Sequence, residues 1–288
     1  MNTTKRARVR LILSMAAFGT LAPFVRNISV SSGELALYRA ILAAALIGTF
    51  LVATKQQIPF RALGKELYLL LFSGIAMGFN WILLFEAYKY TTVAISTLSY
   101  YFAPVIVTVV CPFLFKEKMT RKQILCFVMS TVGLALVAGI MDLGKGGNDA
   151  IGIAFGLGAA VLYATVVLLN KFIKGVTGIH RTFLQFLAAI AVLIPYVLCT
   201  GGMHLGSLNG IGWICLLIVG LVHTGVTYCL YFSSLKELPG QEAAILSYVD
   251  PLVAVVIGVL LLKEPLNWQQ LVGGLMILGF TLWNELDT

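Results

Sequence analysis

The sequence predicts an all-α integral membrane protein of ten transmembrane helices, built as two inverted five-helix repeats. Three observations predict it. The 288 residues are 59% hydrophobic and 11% charged, with a mean hydropathy of +0.95; soluble domains are typically about 45–50% apolar and about 25% charged. Apolar runs long enough to cross hydrocarbon recur along the chain. One such run is written twice and interrupted by proline at the same place: "LSYYFAPVIVTVVCPFLFKEKM" from Leu98 and "ILSYVDPLVAVVIGVLLLKEPL" from Ile245.

A spanning helix needs about 20 mostly apolar residues, because the hydrocarbon core is about 30 Å thick and a helix rises about 1.5 Å per residue. Ten runs meet this, at about 10–28, 34–54, 67–88, 91–115, 121–141, 151–171, 180–200, 209–233, 241–262 and 267–284. Helices are the only plausible form. Backbone groups in lipid must be bonded within the segment, and no alternating-strand pattern is present. The connections are too short for a soluble domain. The basic "MNTTKRARVR" followed by an apolar run has the outline of a signal peptide, but no small-x-small cleavage site follows. It is read as the first helix.

Charge sets the expected orientation. Fifteen Lys and Arg fall on the side of the termini and four on the other (Arg26, Lys89, Lys145 and Lys263), with Arg39 inside a span. Cytoplasmic loops collect Lys and Arg, so both termini are expected in the cytoplasm. This asymmetry accounts for the net charge of +8 without a nucleic-acid partner. The five cysteines lie in apolar runs without C-x-x-C spacing, as small hydrophobes. His180, His204 and His223 are scattered. No metal or cofactor is expected.

Aligning Pro104 with Pro251 brings Lys116-Glu117 onto Lys263-Glu264, and Lys89 onto Lys236. Nearer the start of each half, Phe18 and Arg26 match Tyr163 and Lys171, and "RAILAAAL" from Arg39 matches "QFLAAIAV" from Gln185. The halves are residues 1–141 and 151–284. Five spans per half is odd, so the second half enters the membrane inverted, as in many secondary transporters. Both prolines fall near mid-span. A proline in a helix removes one hydrogen bond and crowds the preceding turn, and paired interruptions point to a binding region between the halves. Kinks that only assist packing are the alternative.

Two prolines in matched helices ending "LFKEKM" and "LLKEPL" are each followed by a Gln and a Gly-containing span: "RKQILCFVMSTVGLAL", with Gln123 and Gly133, and "WQQLVGGLMILGFTL", with Gln270 and Gly279. Together with "FGTLAPFVRNI" and "LYRAILAAAL", these resemble the drug/metabolite transporter superfamily in its ten-helix EamA-type branch. The resemblance covers the whole chain. It implies a plasma-membrane carrier of small organic solutes, often an exporter of amino acids or related metabolites working by alternating access. Phe18 stands where that family usually has tryptophan in the first span. The implied partners are a small-molecule solute and the bilayer, with protons as a candidate coupling ion; a monomer is expected.

Asp250 is the most pointed polar residue. A carboxylate at a helix centre costs about 2.5–3.5 kcal/mol on the insertion scale, so it faces a cavity or a partner. Two readings stand: a solute or proton site, or an N-cap to a broken ninth helix with Pro251 at the first helical position. Glu86 is expected to pair with Lys89. Arg39 either pairs structurally, with Glu34 or Glu86, or binds a solute carboxylate. His223 is a candidate proton carrier or a residue bonded to neighbouring backbone. Asn80, Trp81, Tyr100, Tyr101, Tyr163, Thr227, Tyr228 and Tyr248 lie at mid-span depth and suit an apolar pocket with a few placed polar groups, packing being the alternative for each. Gly74 and Gly78, Gly156 with Ala160, and Gly220 with Thr224 supply faces for close helix approach.

The chain lacks H-E-x-x-H, G-x-S-x-G and G-x-x-x-x-G-K-[ST], which argues against a hydrolase or an ATP-driven pump. The short loops disfavour a receptor or scaffold. The topology is tested by single-cysteine labelling from outside the cell in a cysteine-free background. Lys145→Cys should label and Lys118→Cys should not; the reverse result overturns the inverted repeat.

Overall fold

The structure is a computed structural model that describes residues 3–58, 64, 66–115, 120–137, 149–176, 178–235, 237–238, 246–247 and 249–285. Among the described residues there is no strand. The first half contains α1 (Thr3–Gly19), α2 (Leu21–Arg26), α3 (Ser32–Ala53), α4 (Glu66–Tyr90), α5 (Val93–Tyr100), α6 (Ala103–Phe115) and α7 (Arg121–Val137). The second contains α8 (Asp149–Phe172), α9 (Gly178–Thr200), α10 (Gly210–Leu217), α11 (Thr227–Leu235), α12 (Val249–Leu260) and α13 (Trp268–Glu285). A π-helical segment, Ile218–Val226, joins α10 to α11 without a turn.

Among the described residues, six helical stretches are long and apolar enough to cross a membrane: Thr4–Arg26, Ser32–Ala53, Glu66–Tyr90, Asp149–Phe172, Gly178–Thr200 and Gly210–Tyr231. Shorter apolar helices occupy Val93–Val107, Ile124–Leu136 and Val249–Leu260. Val52, Phe72, Phe113, Leu198, Leu260 and Trp268 each turn more than half of their surface outward. Such a rim of large apolar side chains would be an aggregation hazard in water and is what a helix presents to lipid.

Local chemistry explains the helix ends. Ser31 and Glu34 form a capping box at the start of α3: the Glu34 N–H donates to Ser31 Oγ (3.1 Å) and the Ser31 N–H to Glu34 Oε2 (3.0 Å). The first span is interrupted at Thr20, between α1 and α2. Pro23 has no N–H to return to the carbonyl of Gly19, so the ladder cannot run through. At the break Thr20 donates its hydroxyl to the Ala17 carbonyl (2.8 Å). This interruption was not among those expected from the sequence. Pro195, by contrast, lies inside α9.

Long helix pairs form the body. α4 lies along α8 and α9, α3 crosses α9 and the π segment, α1 packs on α11 and α12, α5 on α8 and α12, and α7 on α13. Close approach depends on small residues. A Cβ at Gly74 would lie 2.6 Å from both Ala188 Cβ and the Gln185 carbonyl oxygen, so α4 and α9 meet nearly backbone to backbone. Gly74 therefore serves packing within the chain. Gly74→Val should lower stability by about 1–3 kcal/mol through overpacking, read as a fall in Tm of the purified protein. Gly279→Ala, where an added Cβ meets nothing within 4 Å, should not lower it.

Candidate functional site

The expected interruption at Pro104 is present. α5 begins at Val93, with the Thr92 side chain accepting from the Ile95 N–H (3.2 Å), and ends at Tyr100. Tyr101 and Phe102 form a turn, and α6 starts at Ala103 with Pro104 in its first turn. Proline suits the first turn because the N–H it lacks would have no helical partner there. The Tyr101 side chain projects from this turn into the second half. Its hydroxyl lies 2.8 Å from Asp250 Oδ2 and 3.3 Å from the carbonyl oxygen of Ser247.

Asp250 lies inside the first turn of α12, with Pro251 next to it. Its side-chain hydrogen bond among the described residues is to Tyr101, not to a backbone N–H of its own helix. The capping geometry allowed by the sequence is therefore not what holds it. Helix α1 closes in from a third direction: a Cβ on Gly19 would sit 2.6 Å from the Asp250 carbonyl oxygen and 2.7 Å from Val253 Cβ. The α5–α6 turn, α12 and α1 thus meet at this residue. Tyr248 lies outside the described residues.

Aromatic rings line the space around it. Tyr100 meets Tyr101 and Tyr163 at centroid distances of 6.1 and 5.4 Å. Phe18 meets Tyr228 edge-on at 5.3 Å and Tyr231 at 6.4 Å. Phe186 bridges Tyr228 and Trp81, 5.4 Å from each. Tyr88, Tyr100, Tyr163 and Tyr228 all lie within electrostatic range of Asp250. The structure thus brings Trp81, Tyr100, Tyr101, Tyr163 and Asp250 into one region. Tyr163 keeps 39% of its surface exposed while Trp81 keeps 4%.

Behind Trp81 lies Arg39, 3% exposed. Its Nε donates to Thr224 Oγ1 (3.0 Å), and its guanidinium carbon sits 4.6 Å from the Trp81 ring centroid and 5.3 Å from that of Phe85. Neither acid suggested by the sequence pairs with it. Glu34 instead accepts from the His204 N–H (2.5 Å), and Lys89 Nζ takes Glu86 at 3.0 Å. The Thr224 and Thr227 hydroxyls donate to the carbonyls five residues back, Val219 and Val222, both at 2.8 Å. These bonds support the π segment, a form concentrated at functional sites.

Other expected site residues have structural duties. Asn80 donates to the Ala159 carbonyl (2.6 Å), tying α4 to α8. Thr227 spends its proton on Val222. His223 is bonded through both ring nitrogens, Nε2 to Thr20 Oγ1 (3.1 Å) and Nδ1 to the Ile218 carbonyl (3.4 Å), and lies against Phe24. One further cluster was not expected from the sequence. Arg26 Nη1 lies 2.6 Å from Glu264 Oε1, Glu264 Oε2 accepts from the Val93 N–H (2.8 Å), and Arg26 Nη2 reaches the Thr91 carbonyl (3.4 Å). The signal was available in the repeated Lys-Glu pair, of which Glu264 is the second copy.

Known proteins place this architecture. Residues 8–139 and 150–284 each match the EamA-like transporter family. An uncharacterized transporter of Archaeoglobus fulgidus is 31% identical over 96% of this chain and 95% of its own. The uncharacterized transporter YxxF of Bacillus subtilis is 29% identical over 87% of this chain and 80% of its own. The uncharacterized inner membrane transporter YhbE of Escherichia coli K12 is 26% identical over 72% and 61%. A solved crystal structure superposes with a TM-score of 0.67 over 98% of this chain and 99% of its own at 15% identity, a likeness of fold. The apolar helices and these relatives make it a multi-pass membrane protein. With both halves matched, the chain belongs to the EamA-like transporter family.

Proposed function

We propose that the protein is a secondary transporter that exports small organic solutes, amino acids or related metabolites, across the plasma membrane by alternating access. Its working parts are two inverted five-helix repeats, residues 1–141 and 151–284, acting as a monomer with both termini in the cytoplasm. The observation that carries this reading is the Tyr101–Asp250 hydrogen bond. It joins the interrupted helix of one half to the carboxylate of the other, where matched interruptions place a transporter's site.

The packing supports two equivalent halves. α3 crosses the π segment as α9 crosses α4; α1 lies on α12 as α8 lies on α5 and α6; and α7 pairs with α13, its own counterpart. Each relation recurs with the halves exchanged. Alternating access also needs a closure on one side. The Arg26–Glu264 pair, anchored on the Val93 N–H and the Thr91 carbonyl, joins the halves at the end expected to face outside.

Reconstituted liposomes test the transporter reading: saturable flux of an amino acid or related metabolite is expected, and product formation without flux would overturn it. Glu264→Gln keeps an acceptor for Val93 but removes the ion pair. A cysteine placed at Tyr228 in a cysteine-free background should then react with an external thiol reagent roughly tenfold faster, the equivalent of about 1.4 kcal/mol; an unchanged rate removes the outer closure. Asp250→Asn should fold normally yet lose transport or its pH dependence, because its side chain makes no cap bond to be preserved. Normal and equally pH-sensitive flux in Asp250→Asn returns Asp250 to a structural role.

A further inference from the structure

Arg39 is a cation held in the membrane region without a described counter-charge. A guanidinium cannot shed its proton in a protein, and a buried unpaired charge is among the most expensive groups a fold can hold. The acids that could relieve it are engaged elsewhere: Glu34 with Ser31 and His204, Glu86 with Lys89, Asp250 with Tyr101. What surrounds Arg39 is neutral. Trp81 and Phe85 offer ring faces, and the hydroxyls of Tyr88, Tyr100 and Tyr228 lie within electrostatic range. Ring faces attract cations but neutralise nothing.

The orientation of the group is informative. Nε, on the inner edge of the guanidinium, is fixed by Thr224. Nη1 and Nη2, the edge that takes a carboxylate by two parallel hydrogen bonds, make no hydrogen bond among the described residues. That edge is thus left without a described partner. Ring contacts run from Arg39 through Trp81 and Phe186 to Tyr228, toward the surroundings of Asp250.

The position matched to Arg39 in the second half makes the contrast plain. Gln185 is also fully buried, 1% exposed, yet its amide nitrogen donates to Ser73 Oγ (2.5 Å) and Asn170 Oδ1 (2.8 Å). At one position the fold supplies partners for a neutral amide. At the other it installs a permanent cation and leaves its bidentate edge free.

The geometry points to Arg39 as the anion-recognition residue of the central site, with a solute bearing a carboxylate that docks end-on to Nη1 and Nη2 against the faces of Trp81 and Phe85. This rests on the transporter reading and narrows it to carboxylate-bearing solutes, with the Asp250 end left for their polar or cationic groups. The bound carboxylate supplies the missing counter-charge, so the solute, not the fold, completes the ion pair. A matching amide offers neither the charge nor two acceptor oxygens and should bind poorly.

Chemical modification of the wild-type protein tests this without relying on a variant that folds. Purified protein is treated with phenylglyoxal, which attacks guanidinium groups, and modification at Arg39 is followed by peptide mass spectrometry. Leucine, phenylalanine, threonine, lysine and lactate are each added as the free acid and as the carboxamide. Arg39 should be modified in the free protein and protected by at least one acid roughly tenfold better than by its amide, with no such difference at exposed Arg6. An Arg39 that never reacts is sealed, and one that no acid protects, or that acid and amide protect alike, is structural; each result overturns the assignment. Flux in liposomes is scored separately. Saturable flux without acid-selective protection leaves the transporter standing and removes Arg39. Acid-selective protection without flux of any of these solutes keeps the binding site and removes transport.

Discussion

Hydrocarbon offers no hydrogen bonds, and that constraint shapes where the polar side chains between the ends of these helices find partners. Most hydroxyls obey it locally. Ser14 donates to the Arg10 carbonyl, Thr49 to Ala45, Thr131 to Phe127 and Thr165 to Val161, each to a carbonyl four residues back and each at 2.8–2.9 Å. Amides reach further, Asn80 to Ala159 and Gln185 to Ser73 and Asn170, and in doing so bind one helix to another. Asp250 and Arg39 are charged types that this local economy does not neutralise. Asp250 has one hydroxyl, and Arg39 has one hydroxyl and two ring faces. They stand at opposite ends of the same aromatic region, the arrangement that the proposed site requires.

The irregular backbone follows from the same constraint. A turn at Tyr101–Phe102, a break at Thr20 and a π segment at Ile218–Val226 each loosen the regular ladder. All three border the site. Thr20 touches His223, the π segment carries Thr224 to Arg39, and Tyr101 reaches Asp250. Regular helices would present these side chains at fixed angular steps; the interruptions re-aim them. Gly19 completes the arrangement, since any larger residue there would push α1 off the Asp250 carbonyl.

Much of this was legible in the sequence, and the missing part has a physical pattern. Helix positions follow from apolar length, the Pro104 interruption from proline's lost N–H, the Glu86–Lys89 pair from spacing on one helix, and a face for close helix approach, though not its α9 partner, from the small residues Gly74 and Gly78. Each depends on a few neighbouring residues. The Arg39–Thr224 bond, the Arg26–Glu264 pair and the Phe18–Tyr228 contact join residues more than a hundred positions apart. No local periodicity encodes them. The π segment was hidden for a different reason: its hydroxyl-to-carbonyl bonds at five residues look, as sequence, like any other apolar helix.

The two halves share a packing plan but not a polar inventory, and the difference has a mechanical meaning for the proposed cycle. Equivalent contacts with the halves exchanged make two arrangements of the bundle close in free energy, since each helix pair lost on one side has a counterpart to form on the other. Charges placed symmetrically would let a solute bind in either of two orientations. Here Ala103 stands opposite Asp250, and Gln185 opposite Arg39. An asymmetric solute then has one favoured orientation in a nearly symmetric cage. In the proposed cycle, rocking the cage would expose the same carboxylate and the same guanidinium to either side of the membrane, so recognition need not be rebuilt when access changes. On that proposal, symmetry in the apolar packing would keep the conformational step small, and asymmetry in two buried charges would keep binding selective.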